Sequence, residues 1–308
     1  RATTTCEATK ATVHRNHAMV RRILDETEQL MMAGDLDTAA VFAEISANVA
    51  MSHHSGIFAS SMLERILQQL GATLPSPGRR LQTPRATGGR QHVLHLLTMA
   101  ANVGGDARFV WRWIEQDSGR LHSLAITRQG AHPLPDQLRD AVDASGGTVT
   151  ILNQHRGSLR RWAALLQSLA ASVDVVVIHT HPYDIIPVLA LAGMDDAPPV
   201  IFVDHADHAF WVGASVVNVV ASLRETGSRV AQERRGFAPD QIASLPTILR
   251  PIDRAFSRQK ARSHLGLPPE ATVLLSIARP HKYRPLDDQS FLDGLLPLAG
   301  WLLCVSGR

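Results

Sequence analysis

The chain has 308 residues, enough for two domains with sizeable cores, and its 45% hydrophobic and 19% charged content is globular rather than disordered. No apolar run reaches the ~20 residues of a membrane span, and the opening RATTTCEATK lacks the apolar core of a signal peptide, which predicts a cytoplasmic protein. The formal charge of +3 comes from Lys and Arg scattered along the chain, which disfavours nucleic acid as a partner, whereas a phosphate-bearing substrate or peripheral contact with an anionic membrane needs only a local basic patch.

Cys6 and Cys304 stand at opposite ends without metal-type spacing, so neither a disulfide framework nor a zinc ribbon is expected. From Ala11 to Leu70 the apolar residues fall at helical spacing, with Gly34-Asp35 and Ser52 to Ser55 as interruptions. This predicts three amphipathic helices in an N-terminal region over 1–75, suited to packing or to binding a protein partner, with Gly71 as the C′ stop of the third. The next stretch is rich in Pro, Gly and Arg and reads as a linker over 76–90.

Beyond it, short β-type runs alternate with helical ones, the pattern of a parallel α/β sheet over 91–250. Strands are expected at His92–Leu97, Ser123–Thr127, Thr148–Ile151, Val173–His179, Val200–Val203 and Val216–Ser222. The intervening helices fall near Ala107–Asp117, Asp136–Ala144, Leu159–Ala170, Ile185–Leu191 and Glu225–Arg235. Right-handed crossovers put every strand's C-terminal end on one sheet edge, where open α/β folds bind ligands. After Pro251-Ile252-Asp253 a second α/β unit begins over 251–308, with a helix near Ser257–His264, a strand at Thr272–Ala278, a helix near Ser290–Leu298 and a strand at Trp301–Val305. Two strands are too few for a doubly wound domain, and the chain lacks an initial Met, so a processed or partial chain with an incomplete second domain is expected.

Four segments carry chemistry. Gly104-Gly105 lies between a strand and a helix, where backbone can approach a ligand and helix N–H groups attract anionic oxygens. It has neither the GxGxxG dinucleotide spacing nor a Walker A lysine, which disfavours hydride transfer and ATP hydrolysis. VVIHTHPYD brings His179, His181 and Asp184 to one strand end, and IFVDHADHAFW brings Asp204, His205, Asp207 and His208 to another. Imidazoles and carboxylates there can orient hydroxyls, move a proton or hold a metal, with His205 and His181 as the leading candidates. Fourth, LLSIARPHKYRPLD follows a strand with Arg279, His281, Lys282 and Arg284, cations suited to a leaving diphosphate.

With these segments in this order, the chain from His92 onward resembles the family-4 retaining glycosyltransferases, whose GT-B fold sets two Rossmann-like domains about a cleft. The resemblance covers about two-thirds of the chain. HVLHLLTMAANVGGDARFV is similar to their opening strand and double-glycine loop, so Gly104 and Gly105 would lie near the donor phosphates and the acceptor. VDVVVIHTHPYD is similar to their fourth-strand segment and PPVIFVDHADH to the following strand, which ends in a histidine facing the sugar; that histidine would be His205, with His181 and Asp207 as the other catalytic candidates. LPTILRPIDR stands at their interdomain crossover, with Arg250-Pro251 where the family has Asn-Gly, and SIARPHKYRP at their diphosphate-holding loop. Its spacing is shorter than the family's, which leaves Lys282 and Arg284 as alternative phosphate ligands beside Arg279.

The resemblance implies transfer of a sugar, with retention, from a nucleotide-sugar donor to a carbohydrate, lipid or protein acceptor, without an essential metal or other cofactor. It also implies that the paired-glutamate segment of the donor site would lie beyond Arg308. Two other readings compete. A metal-dependent hydrolase would use the cluster His179, His181, Asp204 and His205. A non-catalytic binding protein would use the N-terminal helices.

Overall fold

The computed structural model describes residues 2–75, 89–102, 104–250, 253–277, 283–285, 290 and 302–306. They fall into two compact units, residues 1–249 and 250–308. Among the described residues no helix is long and apolar enough to cross a membrane.

The first unit is an α/β fold built on seven parallel strands: β1 (His92–Leu97), β2 (Leu121–Ile126), β3 (Val149–Ile151), β4 (Val175–Ile178), β5 (Val200–Asp204), β6 (Val219–Ser222) and β7 (Ile242–Ser244), in the order β3-β2-β1-β4-β5-β6-β7. The continuous apolar runs of the central strands suit a sheet covered on both faces. On one face lie α4 (Gly105–Gln116) and α5 (Asp136–Ser145), packed through Val110, Ile114, Leu138 and Val142. On the other lie α6 (Leu159–Ala170), α7 (Ile186–Ala192) and α8 (Glu225–Arg235). The chain changes faces between β3 and β4, so the order reverses between neighbouring β1 and β4. That reversal is a topological switch point, the place in open α/β sheets where ligands bind.

The expected strands and helices of this unit all form, with ends shifted by a few residues. β7 was not expected. Three half-buried or exposed residues on the sheet's edge carry too little pattern to announce a strand.

The N-terminal segment forms α1 (Ala2–Met32), α2 (Leu36–Ser52) and α3 (Ser61–Ala72), with Asp35 and Ser60 accepting from Thr38 N–H and Leu63 N–H as N-caps. Leu24, Ala43, Leu63, Ile66, Leu67 and Leu70 join one core with α6, α7 and the sheet face beneath them. Gly71 corrects the sequence reading. It is no stop signal: α3 runs through it to Ala72, and Thr73 is the C-cap. A Cβ there would lie 2.7 Å from the Leu189 carbonyl, and one on Gly193 would lie 2.4 Å from the Gly71 carbonyl. The two glycines let α3 and α7 approach backbone to backbone.

Glu64 fastens the same helix further. Its buried carboxylate accepts from Gly213 N–H at 2.7 Å, Ser215 N–H at 3.0 Å and the Ser215 hydroxyl. The expected linker lies largely at 76–88, outside the described residues. In the second unit, α9 (Arg258–His264) precedes the parallel pair β8 (Val273–Ile277) and β9 (Leu302–Ser306). The helix expected near Ser290–Leu298 falls outside the described residues apart from Ser290.

Candidate functional site

Because all seven strands are parallel, the residues that follow β1, β2, β4, β5 and β6 share one edge. Gly104 and Gly105 open α4 after β1, His179 and His181 follow β4, His205 and Asp207 follow β5, and Arg224 follows β6 as the N-cap of α8. Gly105 is exposed, and a Cβ on it would meet nothing within 4 Å, so packing does not demand the glycine. Asp106 stands in the first turn of α4, where a carboxylate is favoured by the N-terminal end of the helix dipole.

His205 sits at the mouth of a buried array. His179 Nδ1 lies 3.2 Å from His205 Nε2, and His179 Nε2 lies 3.1 Å from His95 Nδ1. His95 Nε2 lies 3.1 Å from His122 Nδ1. His122 Nε2 ends the row 3.1 Å from the Asp117 carbonyl and 3.5 Å from its carboxylate. At the other end His205 Nδ1 lies 3.7 Å from Asp106 Oδ1.

Strand register explains the row. His122 pairs with Val93, two residues before His95, and His95 pairs with Val177, two residues before His179. Ile178 pairs with Phe202, which aligns His179 with Val203, two residues before His205. The four rings therefore climb one face diagonally, one strand across and two residues up at each step. Phe109 and Trp113, one turn apart on α4, roof it with edge contacts to His205 and His95.

Burial sets the charge state. His95 and His179 are fully enclosed, and desolvation pushes His95 down to about 3 and His179 well below the ordinary imidazole value, with neighbouring imidazoles adding to both effects. His122 and His205 are lowered by burial too, against the opposing pull of Asp117 on the first and Asp106 on the second. The row is neutral near pH 7. Neither His95 nor His122 was singled out from the sequence; the available signal was a histidine inside an otherwise apolar strand run, HVLHLL and LHSLAI.

The other candidates are engaged differently. The His181 ring leaves the row and lies 3.3 Å from the Tyr183 hydroxyl, while its backbone N–H donates to Thr98 Oγ1. Asp184 is buried and accepts from the Thr98 and Thr127 hydroxyls, with Arg128 bridging towards it and pairing with Glu44 of α2. Asp207 accepts two hydrogen bonds from Arg224, each 2.6 Å, which hold its carboxyl below the usual carboxylate range. It stays ionised and orients an arginine that is 62% exposed on the same sheet edge. Arg224 is a functional candidate the sequence did not announce. Asp204 lies 3.7 Å from buried Arg235, whose guanidinium also donates to the Asp207 and Ala209 carbonyls and so pins this loop. Burial raises the Asp204 carboxyl.

This geometry does not gather His179, His181, Asp204 and His205 into a chelating set. Both ring nitrogens of His179 face other imidazoles, and among the described residues no group of three or more His, Cys, Asp or Glu is arranged to hold a metal ion. Of the cationic loop, Arg284 is exposed in the second unit, whereas Arg279, His281 and Lys282 lie outside the described residues. A groove of about 480 Å³, lined by Asp37, Leu74, Pro75 and α6 residues including Arg160 and Arg161, involves none of the four histidines of the row.

No protein-family model and no curated protein matches the sequence. Among solved structures the chain is similar to Anabaena HepE in complex with UDP-glucose, at 12% identity over 70% of this chain and 60% of that chain, with a TM-score of 0.47. It is also similar to Thermobaculum terrenum O-GlcNAc transferase, at 12% identity over 94% of this chain and 52% of that one, with a TM-score of 0.43. A third similarity is to the wall teichoic acid polymerase TagF with CDPG, at 10% identity, 80% and 60% coverage and a TM-score of 0.36. The chain spans about 60% of the length of HepE.

Proposed function

We propose that this protein is a GT-B-type glycosyltransferase that moves a sugar from a nucleotide-sugar donor to a hydroxyl acceptor, with retention of anomeric configuration. The observation that carries the reading is topological. The double-glycine loop, the two histidine-bearing strand ends and Arg224 converge on one sheet edge across a switch point, in the chain order of the family-4 segments. A sheet edge bearing the His205 imidazole, an exposed helix N-terminus and an oriented arginine suits a polyhydroxylated ligand with an anionic group.

In this reading, Gly104 and Gly105 let the donor phosphates approach the N-terminus of α4. Arg279 and Lys282, with Arg284 as the alternative to Lys282, bind the diphosphate and stabilise the charge that grows on it as it leaves. His205 orients a hydroxyl, His181 supports the same loop edge, and Asp207 acts by holding Arg224. No metal enters the scheme. The acceptor is a carbohydrate, lipid or protein hydroxyl.

The test is turnover of nucleotide-sugars by the full-length protein, followed as release of nucleoside diphosphate, with the anomeric configuration of the product read by NMR. Lys282→Ala or Arg279→Ala should lower kcat by ~10²-fold, the usual effect of removing one donor to a developing anion. Wild-type kcat in Lys282→Ala together with loss of turnover in EDTA would instead assign the leaving group to a metal.

A further inference from the structure

We propose that His122, His95 and His179 are positioning residues that fix His205 as its Nε2–H tautomer, so that His205 Nδ1 is a hydrogen-bond acceptor for a substrate hydroxyl at the sheet edge. That the partner is a hydroxyl rests on the functional reading above; the tautomer itself does not.

The Asp117 carbonyl, 3.1 Å from His122 Nε2, can only accept, so this nitrogen carries the proton. With the opposite tautomer, two lone pairs would face each other in a buried site, leaving both unsatisfied. A neutral imidazole has one N–H, so His122 Nδ1 is an acceptor and His95 Nε2 must donate to it. The same step repeats twice: His95 Nδ1 accepts from His179 Nε2–H, and His179 Nδ1 accepts from His205 Nε2–H. The proton positions of all four rings thus follow from one backbone carbonyl.

The reverse polarity would set the His122 Nε2 lone pair against the Asp117 carbonyl, and it would gain nothing from Asp106 at the other end, whose Oδ1 is 3.7 Å from His205 Nδ1, too long for a hydrogen bond. The inner rings, His95 and His179, stay neutral because both are enclosed and their ring nitrogens face other imidazoles. Trp113 covers His95 and His179, and Phe109 covers His179 and His205. Among the described residues, the charged groups that act on the ends of the row are Asp117, Arg120 and Arg90 at His122, and Asp106 at His205. Aligned N–H···N bonds also polarise one another, which strengthens the acceptor at the open end.

His205 Nδ1 and Asp106 Oδ1 then form two acceptors 3.7 Å apart. That pair selects a ligand group offering hydrogens, such as neighbouring hydroxyls of a sugar ring, and rejects a carbonyl or phosphate oxygen in the same place.

The test is a long-range ¹H–¹⁵N correlation spectrum of the full chain labelled with ¹⁵N-histidine at pH 7.5, with ring signals assigned through single substitutions. The expected result is that His122, His95, His179 and His205 all show protonated Nε2 and a bare, pyridine-type Nδ1. An Nδ1–H or imidazolium form at any of the four would overturn the proposal. In His179→Phe, the His205 Nε2–H loses its acceptor, and the His205 Nδ1 resonance should move from the pyridine-type towards the pyrrole-type position as both tautomers populate. An unchanged His205 tautomer in that variant would also overturn it. If the tautomers are as stated but nucleotide-sugars are not turned over, the glycosyltransferase reading fails while the relay stands.

Discussion

Glu64 shows how much a single side chain on the N-terminal helices does for the sheet. Gly213 N–H, Ser215 N–H and the Ser215 hydroxyl lie in the loop between β5 and β6, immediately after the segment that carries His205 and Asp207, and one buried carboxylate satisfies all three. Buried donors stripped of an acceptor carry their full desolvation cost, and bonds to a charged group are the stronger kind. Glu64→Ala should therefore lower the unfolding free energy by ~3 kcal/mol, measured by urea denaturation. Glu64→Gln, which keeps one carbonyl oxygen, should lose less. Equal stability of Glu64→Ala and the parent would mean that the loop finds other partners. From sequence, Glu64 was an ordinary polar position on an amphipathic helix. Its acceptor role depends on residues some 150 positions away, and no local pattern encodes that. Asp207 was legible as a polar group at a strand end, but not its pairing with Arg224, which likewise joins separate loops.

At the scale of elements, the close crossing of α3 and α7 sets two effects of glycine against each other. Gly71 lies inside a helix, where Ala is intrinsically better by ~1 kcal/mol. Its missing Cβ, however, makes room for the Leu189 carbonyl, and a backbone atom cannot swing aside as a side chain can. Sterics should win, and Gly71→Ala should destabilise the protein by ~1–3 kcal/mol, the range for overpacking. Thermal unfolding checks the sign: a higher Tm would show that the helices separate without loss.

The sequence reading of Gly71 as a stop failed because a C′ glycine and a contact glycine look alike until the partner helix is placed. The strands were legible for the opposite reason. Central parallel strands are apolar on both faces, so each one announces itself locally. The histidine ladder falls between these cases. His179 and His205 stood out at strand ends, whereas His95 and His122 were hidden within apolar runs, and the diagonal joining all four exists only once register is known.

For the whole molecule, enclosing a row of imidazoles makes stability depend on pH, with a sign that can be worked out. In the unfolded chain each ring takes a proton as pH falls through about 6.5, whereas in the folded protein His95 does so only near 3 and His179 well below the ordinary value. The unfolded state binds more protons in that window, so the contribution is fully present above pH ~6.5 and is lost as pH falls towards the folded values. A fully protected ring contributes ~1.4 kcal/mol per pH unit, so His95 should remove ~2 kcal/mol between pH 7 and pH 5, with His179 acting in the same direction. His122 and His205 add less, because Asp117 and Asp106 partly restore their affinity for a proton. Glu44 and Asp204, raised by burial, act in the opposite sense at the acid end, where folding favours their protonated forms. Comparing urea denaturation of wild type and His95→Leu at both pH values cancels those carboxylates, since both proteins contain them. The wild type should lose stability faster on acidification, and the variant should be less steep by ~1.4 kcal/mol per pH unit below pH 6.5. Parallel pH profiles would mean that His95 is as easily protonated in the folded protein as in the unfolded chain, and that the ladder is not a neutral, enclosed array.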